Sequence, residues 1–482
     1  MPSVEKMVLR YVVPFSFSDS YQEMCQRIGD NQIWKACTLP VKKPAVFSHL
    51  YQLAYGDEEH NSIGSTWEFE HRNKLPQLRY KEAEDAAESQ WRICQVKIHL
   101  FHTCVGLLWY ELEPMDAALD LDSLVLMQNR FKDCSYTDDH FSVFVRGSSK
   151  ENPGHYAAFD ASLWLASLLN PLGSITYLNG SCEKQGEVCP DKALIFNYIL
   201  MGSEASVPYE LLQKYAFWLA NGYTEKYLPS ADTLAQSVQP FEDVCMYACR
   251  GGCGYFAVVN ENNRKFFAGN FDESIRKEYF FLYILTLYQS FSLMHFSMRC
   301  AAELTSNPQA YNQEDIGSRL DAFVAELNAF LMKGMHSSVS CVQHHNDFYQ
   351  YLRSRLMIQE DIESLKIGTE ALAQLQHARR EYEELLLREE ENTKERIRDR
   401  RQNLALAVLS LFSLFAVFMD LNNLIDVLFK TDIKLVLQQL QAGNMQVIAQ
   451  LVIHIVVLAV TVACVCLLVS SFRTDRKDKH KK

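Results

Sequence analysis

Two long uncharged runs near the C-terminus constrain this chain most strongly. Residues 403–419 carry no charged side chain, and residues 447–471 carry His454 as their only ionisable group apart from two thiols. An α-helix rises about 1.5 Å per residue, and the hydrocarbon core of a bilayer is about 30 Å thick. The two runs therefore predict a pair of transmembrane helices, the first of which also uses apolar residues that follow it.

The charges around these runs predict their orientation. Five basic residues lie in 394–401 and six in 473–482, whereas the connecting segment 420–446 holds two lysines against three aspartates. Because loops rich in Lys and Arg stay on the cytosolic side, both chain ends are expected there. We expect a multi-pass protein of the inner (plasma) membrane, with 420–446 as an outer loop and 472–482 as a basic cytosolic tail. A buried helical hairpin in a soluble protein is the alternative, but it gives no reason for the basic tail.

Length and composition divide the rest of the chain. The 482 residues exceed what one compact core needs, and the net charge of -12 argues against a surface built for nucleic acid. The 14 cysteines are scattered, which favours reduced cytosolic thiols. All 13 prolines lie at or before Pro308. Since proline interrupts helices, we expect a mixed region at 1–275 and a helical region with a long stalk at 276–402.

Alternating apolar segments predict both strands and helices in residues 1–275. The predicted strands are 7–17, 91–101, 106–112, 141–145, 194–200 and 255–260, and the predicted helices are 20–28, 115–129, 159–169 and 209–221. Residues 255–267 further indicate a hairpin that turns at 260–263. The predicted fold class is an α/β or α+β cytosolic domain, followed by a helical stalk and a two-helix transmembrane hairpin.

The segment ahead of the first span has a one-sided apolar stripe with charged residues between its members. The stripe consists of Ile358, Ile362, Leu365, Leu372, Leu375, Tyr382 and Leu386. It predicts one stalk helix that continues into the membrane. The pattern does not say whether the stripe packs within one subunit or against other copies of the chain.

The first predicted span has a polar stripe with heptad-like spacing. Its proposed pore-lining members are Asn403, Leu406, Ser410, Ser413, Val417 and Asp420. In lipid, polar groups normally face protein or a water-filled cavity. If several copies surround an axis, Leu406 and Val417 are constrictions and Asp420 forms an acidic ring at the outer mouth. The alternative is that the two serines bond back to their own helix.

No residue pattern predicts catalysis, and no phosphate-binding loop or nucleophile elbow is present in the sequence. Cys245, Cys249 and Cys253 repeat like metal ligands, but their spacing is not that of a zinc site. A glycine cluster at 251–254 indicates a tight turn. Four histidines, at 99, 102, 344 and 345, are expected to be surface residues or to have their hydrogen bonds satisfied. His454 lies inside a predicted span, where ionisable groups are costly, so it is a stronger candidate for function; the alternative is a neutral imidazole bonded to a neighbouring helix.

The order of these parts resembles the CorA family: a mixed cytosolic domain, a stalk continuous with the first span, a short outer loop, a second span and a basic tail. Residues 96–113 and 279–292 also look like segments of divergent bacterial members. The resemblance implies a homopentameric channel with Mg²⁺ or another divalent cation as the permeant or regulatory ion. The family's Gly-Met-Asn signature is replaced here, and Asp420, Asn422 and Asn423 are the candidate selectivity residues at the outer mouth.

Some divergent CorA-like proteins accompany type III CRISPR systems, and the divergence and large cytosolic region resemble that group. This resemblance implies an antiviral membrane effector that a nucleotide second messenger activates. The partners expected are therefore other copies of the chain, the lipid bilayer and a nucleotide ligand, without direct binding of nucleic acid. A third hypothesis is a membrane-tethered enzyme or sensor that has no pore.

Overall fold

The computed structural model describes most of the chain up to residue 430. The described residues are 3–37, 45–47, 50, 62–83, 87–115, 120–149, 152–202, 207–305 and 315–430, with scattered positions between 438 and 463. The chain divides into two compact units, Met1–Ala373 and Gln374–Lys482. The described positions within the second predicted span are helical, but His454 and the basic tail lie outside the described residues. The second span therefore remains a prediction.

Fourteen strands are found in the described part of the first unit. They are β1 (Ser3–Phe17), β2 (Trp34–Ala36), β3 (Gly64–Phe69), β4 (Gln77–Tyr80), β5 (Ser89–Phe101), β6 (Val105–Pro114), β7 (Phe141–Ser149), β8 (Asn152–Ala158), β9 (Ile175–Tyr177), β10 (Ser181–Lys184), β11 (Glu187–Pro190), β12 (Leu194–Gly202), β13 (Val244–Cys249) and β14 (Gly252–Val259). Twelve of them form one sheet in the order β13-β14-β12-β1-β6-β5-β4-β7-β8, with β2 joined through β3 to β5, and β9 joined to β1. Among these pairs only β12 and β14 run parallel.

The described α-helices are α1 (Tyr21–Asp30), α2 (Leu121–Lys132), α3 (Ala161–Leu169), α4 (Tyr209–Asn221), α5 (Ala231–Leu234), α6 (Phe280–Arg299), α7 (Asp315–Gly334), α8 (Gln343–Arg355) and α9 (Ile358–Lys430), with two single α-helical turns at Arg264–Phe266 and Asp272–Ser274. Turns of π-helix lie at Phe267–Phe271, Ile275–Tyr279 and Cys300–Thr305. Short 3₁₀ turns lie at Arg72–Lys74, Cys134–Asp139 and Asn170–Leu172. After β14 the regular elements of the described chain are all helical.

Strand β1 shows how the sheet separates two cores. Leu9, Tyr11 and Val13 pack into one hydrophobic cluster, whereas Val8 and Val12 pack into the other. Successive side chains of a strand point to opposite faces, so one strand supplies both clusters. The first cluster includes residues of α1 to α4, and the second includes residues of α6, α7, α8 and the start of α9. The first unit is therefore a mixed α/β fold with helices on both faces of the sheet.

All six predicted strands and all four predicted helices are present, with bounds shifted by a few residues. The predicted hairpin at 255–267 is wrong, because β14 ends at Val259 and the chain then becomes helical. The Asn263 side chain donates to the Val258 carbonyl at 2.9 Å and accepts from the Asn260 backbone N–H at 2.8 Å. These side-chain bonds close a turn that leads into a helix instead of a second strand.

Helix α9 begins inside the first unit and continues without a break to Lys430. Ile358, Ile362 and Leu365 are buried in the second core, so the first part of the predicted apolar stripe packs within its own chain. Farther along the same stripe, Tyr382 is 61% exposed and Leu386 is 45% exposed. Packing inside one subunit therefore explains only the beginning of the stripe.

Candidate functional site

The apolar segment of α9 is exposed on every side. Leu404 and Phe412 are each 69% exposed and Phe415 is 65% exposed, although the segment lies in the middle of a long helix. A helix that is apolar all round is normally buried, either in a protein core or in a membrane. Within the part of the chain that the structure describes, none of the most apolar 18-residue window is buried, and the helix is long and apolar enough to cross a membrane.

The six predicted pore-lining residues all lie on this helix, and they share one side of it. At about 100° per residue, positions 403 to 420 of the stripe fall within an arc of about 100°. Ser410 and Val417 are half-buried, and the other four are exposed. The Ser410 hydroxyl donates to the Ala407 carbonyl at 2.8 Å, so the alternative of bonding to its own helix holds for Ser410 in the single chain. Its oxygen can still accept a hydrogen bond.

The three residues predicted at the outer mouth do not converge within one chain. Asp420, Asn422 and Asn423 are exposed and helical, because α9 continues to Lys430, into the segment predicted as an outer loop. Asn423 lies about 60° around the helix from Asp420, whereas Asn422 lies about 160° away. A common ion site for all three is therefore absent from the single helix described here, and only Asp420 belongs to the polar stripe.

The cysteine repeat is divided between the two faces of the sheet. Cys245 and Cys249 pack with the first core, whereas Cys253 belongs to the second. In the described chain no group of three or more His, Cys, Asp and Glu side chains is arranged to hold a metal ion. A tight β13–β14 turn is present, as expected, but only Gly251 lies in it, because Gly252 and Gly254 already belong to β14. A Cβ atom at Gly252 would lie 2.5 Å from the Ile195 carbonyl oxygen, so the strands need glycine there.

His99 is a structural residue with a fixed tautomer. The Trp109 indole N–H donates to its Nε2 at 3.0 Å, and the Thr66 hydroxyl lies 2.8 Å from its Nδ1. Because Nε2 accepts, the proton lies on Nδ1. Burial, with a smaller contribution from Lys97, lowers the pKa of His99 to about 3. The ring is therefore neutral near pH 7.

The other three candidate histidines also lie in packed surroundings. His102 stacks on Tyr21 with ring centroids 3.9 Å apart. His344 and His345 both contact the ring of Tyr279. Burial, followed by repulsion from His344, lowers the pKa of His345 to about 4. These contacts indicate that the three histidines pack against aromatic rings.

A buried charge network, which was not predicted from the sequence, joins the sheet to the helical layer. Arg10 donates from Nε to Glu111 at 2.7 Å and from Nη1 to the Arg276 carbonyl at 2.7 Å. Arg276 pairs with the second Glu111 oxygen, and the Arg10 guanidinium lies over the rings of Trp109 and Phe280. Burial alone would raise the pKa of Glu111, but the two arginines outweigh it and lower the pKa. Glu111 is therefore an anion held between two cations.

Beside this network lie three buried polar atoms that have no hydrogen-bond partner among the described residues. They are the hydroxyl oxygens of Tyr198 and Tyr255 and one carboxylate oxygen of Asp272. The two tyrosines are paired positions on neighbouring strands, with ring centroids 5.8 Å apart. Burial, with a smaller contribution from Asp272, raises the pKa of Tyr198. Asp272 follows a helical turn that is interrupted at Gly269, whose backbone is not helical. These atoms are candidate contacts for water or a small polar ligand.

No protein-family model, curated protein or solved structure matches this chain. The fold and the exposed helix together define a mixed α/β protein that has one long helix apolar enough to cross a membrane.

Proposed function

We propose that this protein is a homopentameric, CorA-like channel for divalent cations in the plasma membrane. In this proposal α9 crosses the bilayer and lines the pore, residues 447–471 form the second span, and both chain ends are cytosolic. The observation that carries the proposal is the apolar segment of α9, which is exposed on all sides and has polar residues along one of them.

The apolar side chains of this segment support its position in the bilayer, and its polar side supports an assembly of several copies. Exposed leucine and phenylalanine side chains around the helix are stable in lipid but costly in water. Asn403, Ser413 and Asp420 are exposed in the single chain, yet polar groups in a bilayer are stable only against protein or water. Several copies arranged around an axis satisfy both requirements, because the polar sides then face one another.

The chemistry of the stripe fits cations. Asp420 lies at the end of the stripe, where a ring of carboxylates attracts cations, and the stripe offers hydroxyl and amide oxygens along its length. Mg²⁺ keeps several of its waters, so a pore for this ion needs oxygen atoms that bind hydrated ions. Leu406 and Val417 supply apolar constrictions. The first unit gates the pore by favouring one of two states when it binds a ligand or ion.

The test is ion flux into liposomes that contain the purified full-length protein. Mg²⁺, Co²⁺, Ni²⁺ and K⁺ are compared for the wild type, Asp420→Asn and Asp426→Asn. The control makes the same charge change at a helical position about 120° away from the stripe. Asp420→Asn is expected to lower the flux of divalent cations about tenfold, because it removes an attractive ring of charge. Asp426→Asn leaves that ring intact and is expected to keep the wild-type flux.

The other outcomes distinguish the remaining hypotheses. Equal flux in the two variants removes Asp420 from the pore. Flux that appears only when a nucleotide second messenger is added favours the ligand-activated defence effector. An absence of flux for every ion, with and without nucleotides, overturns the channel and favours a tethered enzyme or sensor.

A further inference from the structure

The turns of α9 just before the apolar segment carry basic residues on two different sides. Lys394, Arg398 and Arg401 are exposed and fall within an arc of about 60° around the helix. Arg396 and Arg400, which are also exposed, lie on the other half of the helix. We call the first three residues the outward basic face.

Where the apolar segment begins, this face lies opposite the polar stripe. Asn403, the first residue of the stripe, lies about 140° to 180° around the helix from Lys394, Arg398 and Arg401. Continued toward Lys430, the outward basic face leads to Phe412, which is 69% exposed, and Met419, which is 50% exposed. One side of α9 therefore changes from cationic to apolar at the start of the apolar segment.

The change occurs at the height expected for a lipid headgroup. Arg401 and Arg398 lie about 4.5 Å and 9 Å along the axis before position 404, and a headgroup layer is about 5 to 8 Å thick on each side of the bilayer. Long arginine side chains extend toward that layer. Lys394 lies farther away and makes an exposed ion pair with Glu390 at 3.8 Å. Arg398 and Arg401 are thus the main lipid contacts.

We propose that the outward basic face binds the phosphate of an anionic phospholipid in the cytosolic leaflet. The planar guanidinium group forms paired hydrogen bonds with phosphate oxygens, and the apolar side chains beyond it contact the acyl chains of the same lipid. The acidic neighbours Glu395 and Asp399 lie on other sides of the helix, about 60° to 100° from Arg398. Glu391 lies on the same side as Arg398 but about 10 Å farther from the apolar segment, so the face is cationic at the headgroup height. The inference rests on α9 crossing the bilayer, which is part of the proposed function.

The experiment measures lipid selectivity with the full-length protein in bilayers. Spin-labelled phosphatidylglycerol and phosphatidylcholine are compared for their preference for the protein surface by electron paramagnetic resonance. The variants are Arg398→Gln with Arg401→Gln, and the matched control Arg396→Gln with Arg400→Gln. Each pair removes two positive charges at nearly the same height, on different sides of the helix.

The wild type and the control variant are expected to prefer phosphatidylglycerol over phosphatidylcholine. In the Arg398→Gln, Arg401→Gln variant this preference is expected to fall about fivefold for each arginine removed. Equal loss in both pairs, or no loss in either, overturns the proposal. If the liposome assay shows no ion flux but only the Arg398→Gln, Arg401→Gln variant loses its lipid preference, the channel proposal is overturned and the lipid-site proposal is supported. If no motionally restricted lipid is found around the wild type, α9 does not cross the bilayer and both fail.

Discussion

Arg10 and Glu111 are the clearest case of residues whose roles depend on distant partners. Arg10 is the only charged residue in 7–17 and Glu111 is the only one in 105–112, and such an isolated charge in an apolar run is a sequence signal for a buried pair. The signal does not identify the partner, because 101 positions separate the two residues and Arg276 comes from a helical segment still farther along the chain. The network was therefore found only from the structure.

Replacement of Glu111 by Gln is expected to lower the free energy of unfolding of the first unit by about 3 to 5 kcal/mol, because Arg10 and Arg276 lose their shared anion. Chemical unfolding of the full-length protein measures this change. Glu113→Gln is the matched control on the same strand, since its pair with Arg92 is largely exposed, and a change below about 1 kcal/mol is expected there. Similar effects of both substitutions would show that the Arg10 network has no special energetic role.

The buried histidines make stability depend on pH. The pKa of His99 is about 3 in the folded chain, whereas an unfolded histidine has a pKa of about 6.5. The unfolded chain therefore binds a proton that the folded chain does not, so stability falls as pH decreases through 6.5 toward 3. For His99 alone the loss between pH 7 and pH 5 is about 2 kcal/mol.

Urea unfolding of the wild type at pH 7 and pH 5 measures this dependence. His99→Gln is expected to be less stable at pH 7 but to lose less stability on acidification. His377→Gln, which changes an exposed residue on α9, is the control and is expected to keep the wild-type dependence. An unchanged pH dependence in His99→Gln would contradict the assignment of a neutral buried imidazole.

At the scale of elements, a strand or helix could be predicted from the sequence when its pattern of apolar residues was long enough. Strands such as β1 and β5 contain long alternating runs, and helices such as α4 have periodic apolar faces. In contrast, β2 and β9 have three residues each and form through pairing with longer neighbours. A segment of three residues is too short to show an alternation of apolar and polar residues. The 260–263 turn was misread because asparagines begin helices as well as hairpins.

The stripe of α9 gives a prediction at the same scale. Leu365→Ala is expected to lower the free energy of unfolding of the first unit by about 2 to 5 kcal/mol, because it leaves a cavity in the second core. Leu386→Ala, at an exposed position on the same stripe, is expected to change it by less than about 0.5 kcal/mol. Thermal or chemical unfolding of both variants measures these changes in the free energy of unfolding. Equal effects would mean that Leu386 is buried against another chain or another part of this one.

At the scale of the whole molecule, the sequence predicted a mixed α/β region and a long helix with an apolar segment, and the structure contains both. The polar stripe followed from spacing along one helix, which is why its six members could be named in advance. Strand order could not be predicted, because β12 pairs with β1 and β14, which are far from it in sequence. The tyrosine cluster with Asp272 likewise depends on that pairing.

The central position of β1 limits how this chain can vary over evolutionary time. The strand is paired along both edges, with β6 on one side and β12 on the other, and it contributes to two cores. Insertion or deletion of one residue within it would exchange the faces of every following side chain and bring Arg10 out of reach of Glu111. A change of length in the paired part of β1 therefore disturbs both cores at once, whereas a loop takes up the same change without moving either.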